Sequence, residues 1–217
     1  MSENFLQVRS SGQRSVAILY PLEFGIALDK SGSMYRYTDP VIAGFNHLIS
    51  EQKKIAPNVA TTLIQFGETA QVYYDNEPID QLPVLNTDRY LADGDGTALL
   101  DGIGKTIKLI GQRFDSAAAG SLRVLIAILS DGLENSSREW MLEEIQSEIN
   151  FRRLEDKWEF VYLAVGPEAA RYALKLSIPK SNIFQLTGEE IEPALLKFSK
   201  AVEQLRLGRR DYLRLMQ

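Results

Sequence analysis

Three short stretches of this sequence carry oxygen-bearing side chains at spacings that could do chemistry. Asp29, Ser31 and Ser33 alternate in Asp-Lys-Ser-Gly-Ser. Thr97 follows Gly94-Asp95-Gly96, and Asp131 stands in Ser130-Asp131-Gly132. These side chains offer hard oxygen and no nitrogen or sulfur, which suits a hard cation. Magnesium asks for near-octahedral geometry, few carboxylates and several retained waters. The i, i+2, i+4 spacing lets a tight loop aim alternate side chains at one centre. Gly32 permits the turn, and Gly96 lets the backbone come close before Thr97. Taken alone, Asp29-Ser31-Ser33 reads equally well as an Asx turn with helix-capping hydroxyls. The recurrence of the same donor type in separate loops favours the cation.

The elements that must position these loops are legible as alternating apolar runs and amphipathic stretches. Phe24 to Leu28 reads as a buried strand, with Ser15 to Tyr20 as its extension or a separate edge strand that tolerates Pro21. A helix is expected from Pro40 to Ile55, with Asp39 at the N-cap and Val41, Phe45, Leu48 and Ile49 in step. Thr61 to Phe66 and Gln71 to Tyr74 flank a glycine-containing turn and predict a hairpin. A helix follows over Thr97 to Phe114, then the continuous apolar run Leu122 to Leu129, which suits a strand covered on both faces. Ser137 to Arg153 reads as a helix with a serine N-cap, Phe160 to Val165 as a buried strand, Ala169 to Leu176 as a short helix and Asn182 to Leu186 as a short strand. Ile191, Leu195, Phe198, Val202 and Leu205 form one stripe on a closing helix. This alternation predicts an α/β fold, doubly wound and Rossmann-like. Its mostly parallel sheet carries one antiparallel edge strand, with helices on both faces. Such sheets bind ligands at the carboxyl ends of their strands, which is where the three loops fall.

Composition narrows the functional classes. The 217 residues suffice for one domain, read here as an N-terminal tail over 1–14, a domain over 15–204 and a basic extension over 205–217. There is no cysteine, so thiolate metal sites, disulfides and cysteine nucleophiles are excluded. His47 is the sole histidine, which excludes a multi-histidine metal centre. It lies in a helical stretch with no oriented partner, so packing or surface exposure is the expected role. The net charge of −5 argues against a dedicated nucleic-acid binder. The polar N-terminus has no signal-like apolar segment and no apolar run is long enough to span a membrane, so a cytoplasmic protein is expected. Gly104-Lys105-Thr106 is not a phosphate loop, because Leu99 stands where that motif needs glycine.

Together, Asp29-x-Ser31-x-Ser33, Thr97 in Gly-Thr-Ala-Leu and Asp131 in Ser-Asp-Gly resemble the von Willebrand factor A domain and its metal-ion-dependent adhesion site. The resemblance covers roughly residues 22–200, in the right strand and helix order. The wording DKSGSM and TALLDGI is most similar to intracellular bacterial members, of the tellurium-resistance or MoxR-associated kind. It implies Mg2+, with Mn2+ or Ca2+ as substitutes. Ser31, Ser33 and Thr97 would bind the ion directly, and Asp29 and Asp131 mostly through water. It further implies a protein partner that offers an Asp or Glu to the ion, and action beside an AAA+ ATPase or a phosphatase and kinase in a stress-response system. Asp95 departs from the family's commoner glycine and adds negative charge near the ion.

Lys30, Tyr35, Arg36 and Tyr37 are expected to form the partner-binding rim, with Asp95 and Glu134; Asn135 follows on the same rim. Asp93, Asp95 and Asp101 could form a second cation site, or act as helix N-terminal and solvated loop charges. No nucleophile–base pair or cofactor fingerprint is present, so a binding module is expected rather than an enzyme. Two other classes stay open. One is a Mg2+-dependent phosphohydrolase using Asp29 or Asp131 with metal-activated water. The other is a self-assembling structural protein with an acidic loop of one copy in the site of the next.

Overall fold

The computed structural model describes residues 5–7, 16–55, 58–117, 122–209 and 211–216. Strands β1 (Phe5–Gln7) and β2 (Val16–Ile18) pair antiparallel as a ribbon separate from the main sheet. The Ser15–Tyr20 stretch therefore contributes a separate strand, and part of the expected 1–14 tail is its partner; residues 1–4 and 8–15 lie outside the described residues.

The apolar runs become strands because their side chains are covered on both faces. β3 (Leu22–Asp29) is buried along its whole length. α1 (Thr38–Lys54), β4 (Val59–Phe66), β5 (Ala70–Pro78), α2 (Leu99–Phe114), β6 (Arg123–Ser130), α3 (Leu142–Leu154), β7 (Glu159–Val165), α4 (Pro167–Ala173), β8 (Ile183–Leu186) and α5 (Ile191–Arg206) follow. The six-stranded sheet runs β5-β4-β3-β6-β7-β8, and every pair is parallel except the β4–β5 hairpin at one edge. This is the doubly wound sheet with one antiparallel edge strand that the sequence predicts.

Two apolar layers flank the sheet. Phe24, Leu63, Leu125 and Leu163 meet Val41, Phe45 and Leu48 of α1 and Leu195, Phe198 and Val202 of α5. On the opposite face Ala27, Ile64, Ile126, Ile128 and Tyr162 meet Ile103, Ile107 and Ile110 of α2, Ile145 and Ile149 of α3 and Ala169 of α4. Alternate residues of one strand feed opposite layers, as the pleat requires. α2 lies tight on β3: a Cβ at Gly25 would stand 2.7 Å from both Ile110 Cδ1 and Thr106 Cγ2. That close approach sets α2, and the loop before it, over the carboxyl end of β3.

Three helix starts differ from the sequence expectation, each for a local reason. α1 begins at Thr38 out of a 3-10 helix spanning Gly32–Tyr37, so Asp39 lies in its first turn rather than at the cap. Thr38 Oγ1 donates to the Tyr35 carbonyl at 2.8 Å, which joins the two helices. α2 begins at Leu99, after Thr97 and Ala98 have given their N–H groups to Asn135 Oδ1 and the Gly67 carbonyl. α3 begins at Leu142 instead of Ser137, and the intervening Arg138, Glu139 and Trp140 tie their N–H groups to the Asp101 carboxylate. Glu144 then closes the first turn of α3 by accepting from the Met141 N–H.

At the other end of the chain, α5 runs through Arg206 and a 3-10 helix spans Tyr212–Met216. Tyr212 is buried and donates to Glu159 Oε2 at 3.1 Å. The expected basic extension thus packs on the domain, with Arg210 and Gln217 outside the described residues. No described helix is long and apolar enough to cross a membrane.

Candidate metal centre

β3 and β6 are neighbours in the sheet and end side by side, which brings Asp29 next to Ser130. Ser130 Oγ donates to Asp29 Oδ2 at 2.5 Å, and the Ser31 N–H donates to Asp29 Oδ1 at 2.8 Å. The chain after β3 turns into the 3-10 helix, and this turn carries Ser31 and Ser33 across to β6. Ser31 Oγ and Ser33 Oγ lie 3.2 Å apart. Ser33 Oγ donates to Asp131 Oδ1 at 2.7 Å. Thr97 is buried close by, its Oγ1 3.3 Å from where a Cβ on Gly132 would stand; Asp29 Oδ2 lies 3.6 Å from the same point. Asp29, Ser31, Ser33, Thr97 and Asp131 are therefore brought together at the carboxyl edge of the sheet, as the sequence predicts.

The loops are tied to one another by their backbones. Gly32 N–H donates to the Gly94 carbonyl at 2.7 Å and Lys30 N–H to the Phe66 carbonyl at 2.7 Å. Thr97 exchanges hydrogen bonds with Asn135, N–H to Oδ1 at 2.8 Å and carbonyl from N–H at 3.1 Å. A Cβ at Gly96 would stand 2.0 Å from Ser136 Oγ, so only glycine lets these two loops meet.

The electrostatics suit a cation. Asp29 is fully buried, and that burial pushes its carboxyl up to about 6 despite the opposing hydrogen bonds from Ser130 and Ser31. Burial also raises Asp131, against the Ser33 hydrogen bond and the positive charge of Arg36. One buried and one partly desolvated carboxylate beside three hydroxyls form a set of hard oxygens with too little positive charge near it. The donor set fits magnesium or a similar ion, whose charge would make the ionised carboxylates favourable. Among the described residues no three His, Cys, Asp or Glu side chains gather as a metal cage, so such an ion would depend on the hydroxyls of Ser31, Ser33 and Thr97.

The expected rim residues divide. Tyr35 and Arg36 are exposed beside the centre. Tyr37 is half-buried against the apolar layer under α1 and α5, with the Arg36 guanidinium 4.7 Å from its ring. Lys30 is half-buried and Asp95 exposed. Asp95, Glu68 and Arg138 border an open groove of about 340 Å³ that begins at Gly96 and Asn135, next to Thr97.

Glu134 turns inward. Its carboxylate accepts from the N–H groups of Leu100, Ser136 and Ser137 and from Ser137 Oγ. It caps the start of α2, where a negative charge is favoured. Asp101 is likewise consumed, by three backbone N–H groups at 2.9 Å, so it does not join Asp93 and Asp95 in a second site. His47 sits exposed on α1, its Nδ1 3.1 Å from Glu192 Oε1.

The sequence reading missed Tyr90, whose hydroxyl donates to the Asp29 carbonyl at 2.7 Å across 61 residues. It also missed the role of Ser130, which donates to Asp29 from the end of an apolar run. Tyr90 sits among charged residues in a stretch with no motif, so nothing local marks it.

No protein-family model matches the sequence, and no curated protein matches it. Solved structures do match over most of the chain. The pilus adhesin SpaC from Lactobacillus rhamnosus GG is 11% identical with a TM-score of 0.67, over 87% of this chain and 30% of the adhesin. The vWF domain of the type V pili tip protein Mfa5 from Porphyromonas gingivalis is 11% identical with a TM-score of 0.67, over 88% of this chain and 97% of that domain. Proximal thread matrix protein 1 from the mussel byssus, solved with a zinc-occupied MIDAS motif, is 12% identical with a TM-score of 0.52, over 83% of this chain and 46% of that protein. The chain thus spans about a third of the adhesin and about half of the thread protein, and nearly all of the isolated pilus-tip domain. With its strand order, its one antiparallel edge and its helices on both faces, the chain has the fold of a von Willebrand factor A domain.

Proposed function

We propose that this chain is a metal-dependent protein-interaction module. Its centre, formed by Asp29, Ser31, Ser33, Thr97 and Asp131, would hold Mg2+ and take an Asp or Glu from a partner protein. The observation that carries this reading is the convergence of Ser33 and Asp131 on the loop of buried Asp29, whose carboxyl lacks a compensating charge. An ion held mainly by neutral hydroxyls keeps most of its positive charge, so an anionic side chain can complete its coordination. The zinc-occupied motif of the mussel thread protein supports a divalent ion in this fold.

The finer assignment is a cytoplasmic adaptor beside an AAA+ ATPase or a phosphatase and kinase, in a bacterial stress response. It rests on the resemblance of DKSGSM and TALLDGI to intracellular members. Exposed Tyr35 and Arg36 would supply contacts around the ion, and Asp95 would tune them.

The test is affinity capture from the source cell in magnesium and in EDTA, with Ser33→Ala alongside. A partner bound in magnesium and lost in both EDTA and the variant supports the reading. A partner retained in EDTA and by Ser33→Ala refutes a metal-gated interaction.

A further inference from the structure

Asp29 is gripped from both faces of the sheet. From the layer under α1 and α5, fully buried Tyr90 donates its hydroxyl to the Asp29 carbonyl at 2.7 Å. From the opposite layer, fully buried Ser130 donates to Asp29 Oδ2 at 2.5 Å.

A serine Oγ has one proton to give and two lone pairs to receive. One lone pair already accepts the Gly132 N–H at 3.1 Å. The Ser130 proton goes to Asp29 Oδ2 at 2.5 Å. Asp29 then has Oδ2 fixed by Ser130, Oδ1 fixed by the Ser31 N–H and its carbonyl fixed by Tyr90. Only its remaining lone pairs are available to the centre.

We propose that Tyr90 is a positioning residue for the metal centre, locking the backbone from which the Asp29 carboxylate projects. The inference rests on the metal-binding reading above and adds a residue that touches no ion. Groups placed behind metal ligands typically change affinity by about 10–100-fold when removed.

The test is titration with Mn2+ alone, following the free ion by its paramagnetic resonance, for wild type, Tyr90→Phe and Tyr212→Phe, with the melting temperature of each. Tyr212 is the control, since its buried hydroxyl bonds Glu159, away from the centre. The expected result is a loss of Mn2+ affinity of about 10-fold in Tyr90→Phe, with Tyr212→Phe unchanged. Unchanged affinity in Tyr90→Phe would overturn the positioning role and leave the metal reading standing. Wild-type protein that binds no Mn2+ would overturn both.

Discussion

Ser33 Oγ and Asp131 Oδ1 are 98 residues apart in sequence and 2.7 Å apart in space. Their hydrogen bond closes the centre between the first and third oxygen-bearing loops. Ser33 is exposed and buries little, so its value lies in the site and not in the fold. Ser33→Ala should leave stability within about 0.5 kcal/mol of wild type. It should abolish divalent-ion binding, whose dissociation constant in wild type is expected on the order of 0.1–1 mM for a low-charge oxygen site. Thermal melts in EDTA and in 10-fold steps of magnesium check both: wild type should gain stability with the ion and the variant should not.

The raised carboxyl of Asp29 has a definite sign in stability. Its folded value of about 6 stands above its ordinary 3.8, because burial disfavours the charge. In chelator, the stability tied to this group is whole below about pH 3.8 and is lost as pH rises through about 6. Asp29→Asn removes the charge and should gain on wild type across that window, with a constant advantage above it. In magnesium the order should reverse above about pH 6, where the ionised wild type binds the ion. Paired melting curves of the two proteins at pH 4 and pH 8 test this; parallel behaviour at both would refute it.

Asp101 should be a stability residue rather than a ligand. Its carboxylate holds the N–H groups of Arg138, Glu139 and Trp140 and so ties α2 to the loop after Asp131. Asp101→Ala should cost about 3 kcal/mol, because three backbone donors lose their charged partner at once. Denaturant unfolding measures the loss. A cost under about 0.5 kcal/mol would show that the loop finds other acceptors.

Arg36 is exposed and acts on Asp131 by its charge. Arg36→Ala removes a positive charge from the rim, so the free-ion affinity should stay within about 2-fold of wild type or tighten slightly. Association with an acidic partner should slow and lose part of its salt dependence. Association rates at low and physiological salt, measured with the magnesium-dependent partner, decide this; an unchanged rate would place Arg36 outside the interface.

Much of the fold was readable because its signals are local. The apolar runs around Phe24, Leu125 and Val161 can only be strands covered on both faces. The stripe from Ile191 to Leu205 can only be a helix with one buried side. Helix starts were read less well, because the groups that end a helix come from elsewhere. Ser137 looks like a cap, yet its hydroxyl meets the Asp101 N–H and Glu134 while Asp101 holds the following N–H groups out of the helix. Glu134 looks like a rim residue for the same reason: nothing in Asp-Gly-Leu-Glu tells that its carboxylate folds back on the start of α2.

The sequence by itself determined the chemistry of the centre. Hydroxyl and carboxylate oxygens in three loops, without cysteine and with one histidine, suit a hard cation and little else. The placing of the three loops at strand ends followed from the alternation of strand and helix patterns. Only the tertiary structure decided how Asp29 is held and how strongly its charge is felt. Both depend on burial between two layers and on Tyr90 and Ser130, which reach it across 61 and 101 positions of chain. Desolvation and long-range hydrogen bonds are properties of the packed molecule, and no short stretch of sequence contains them.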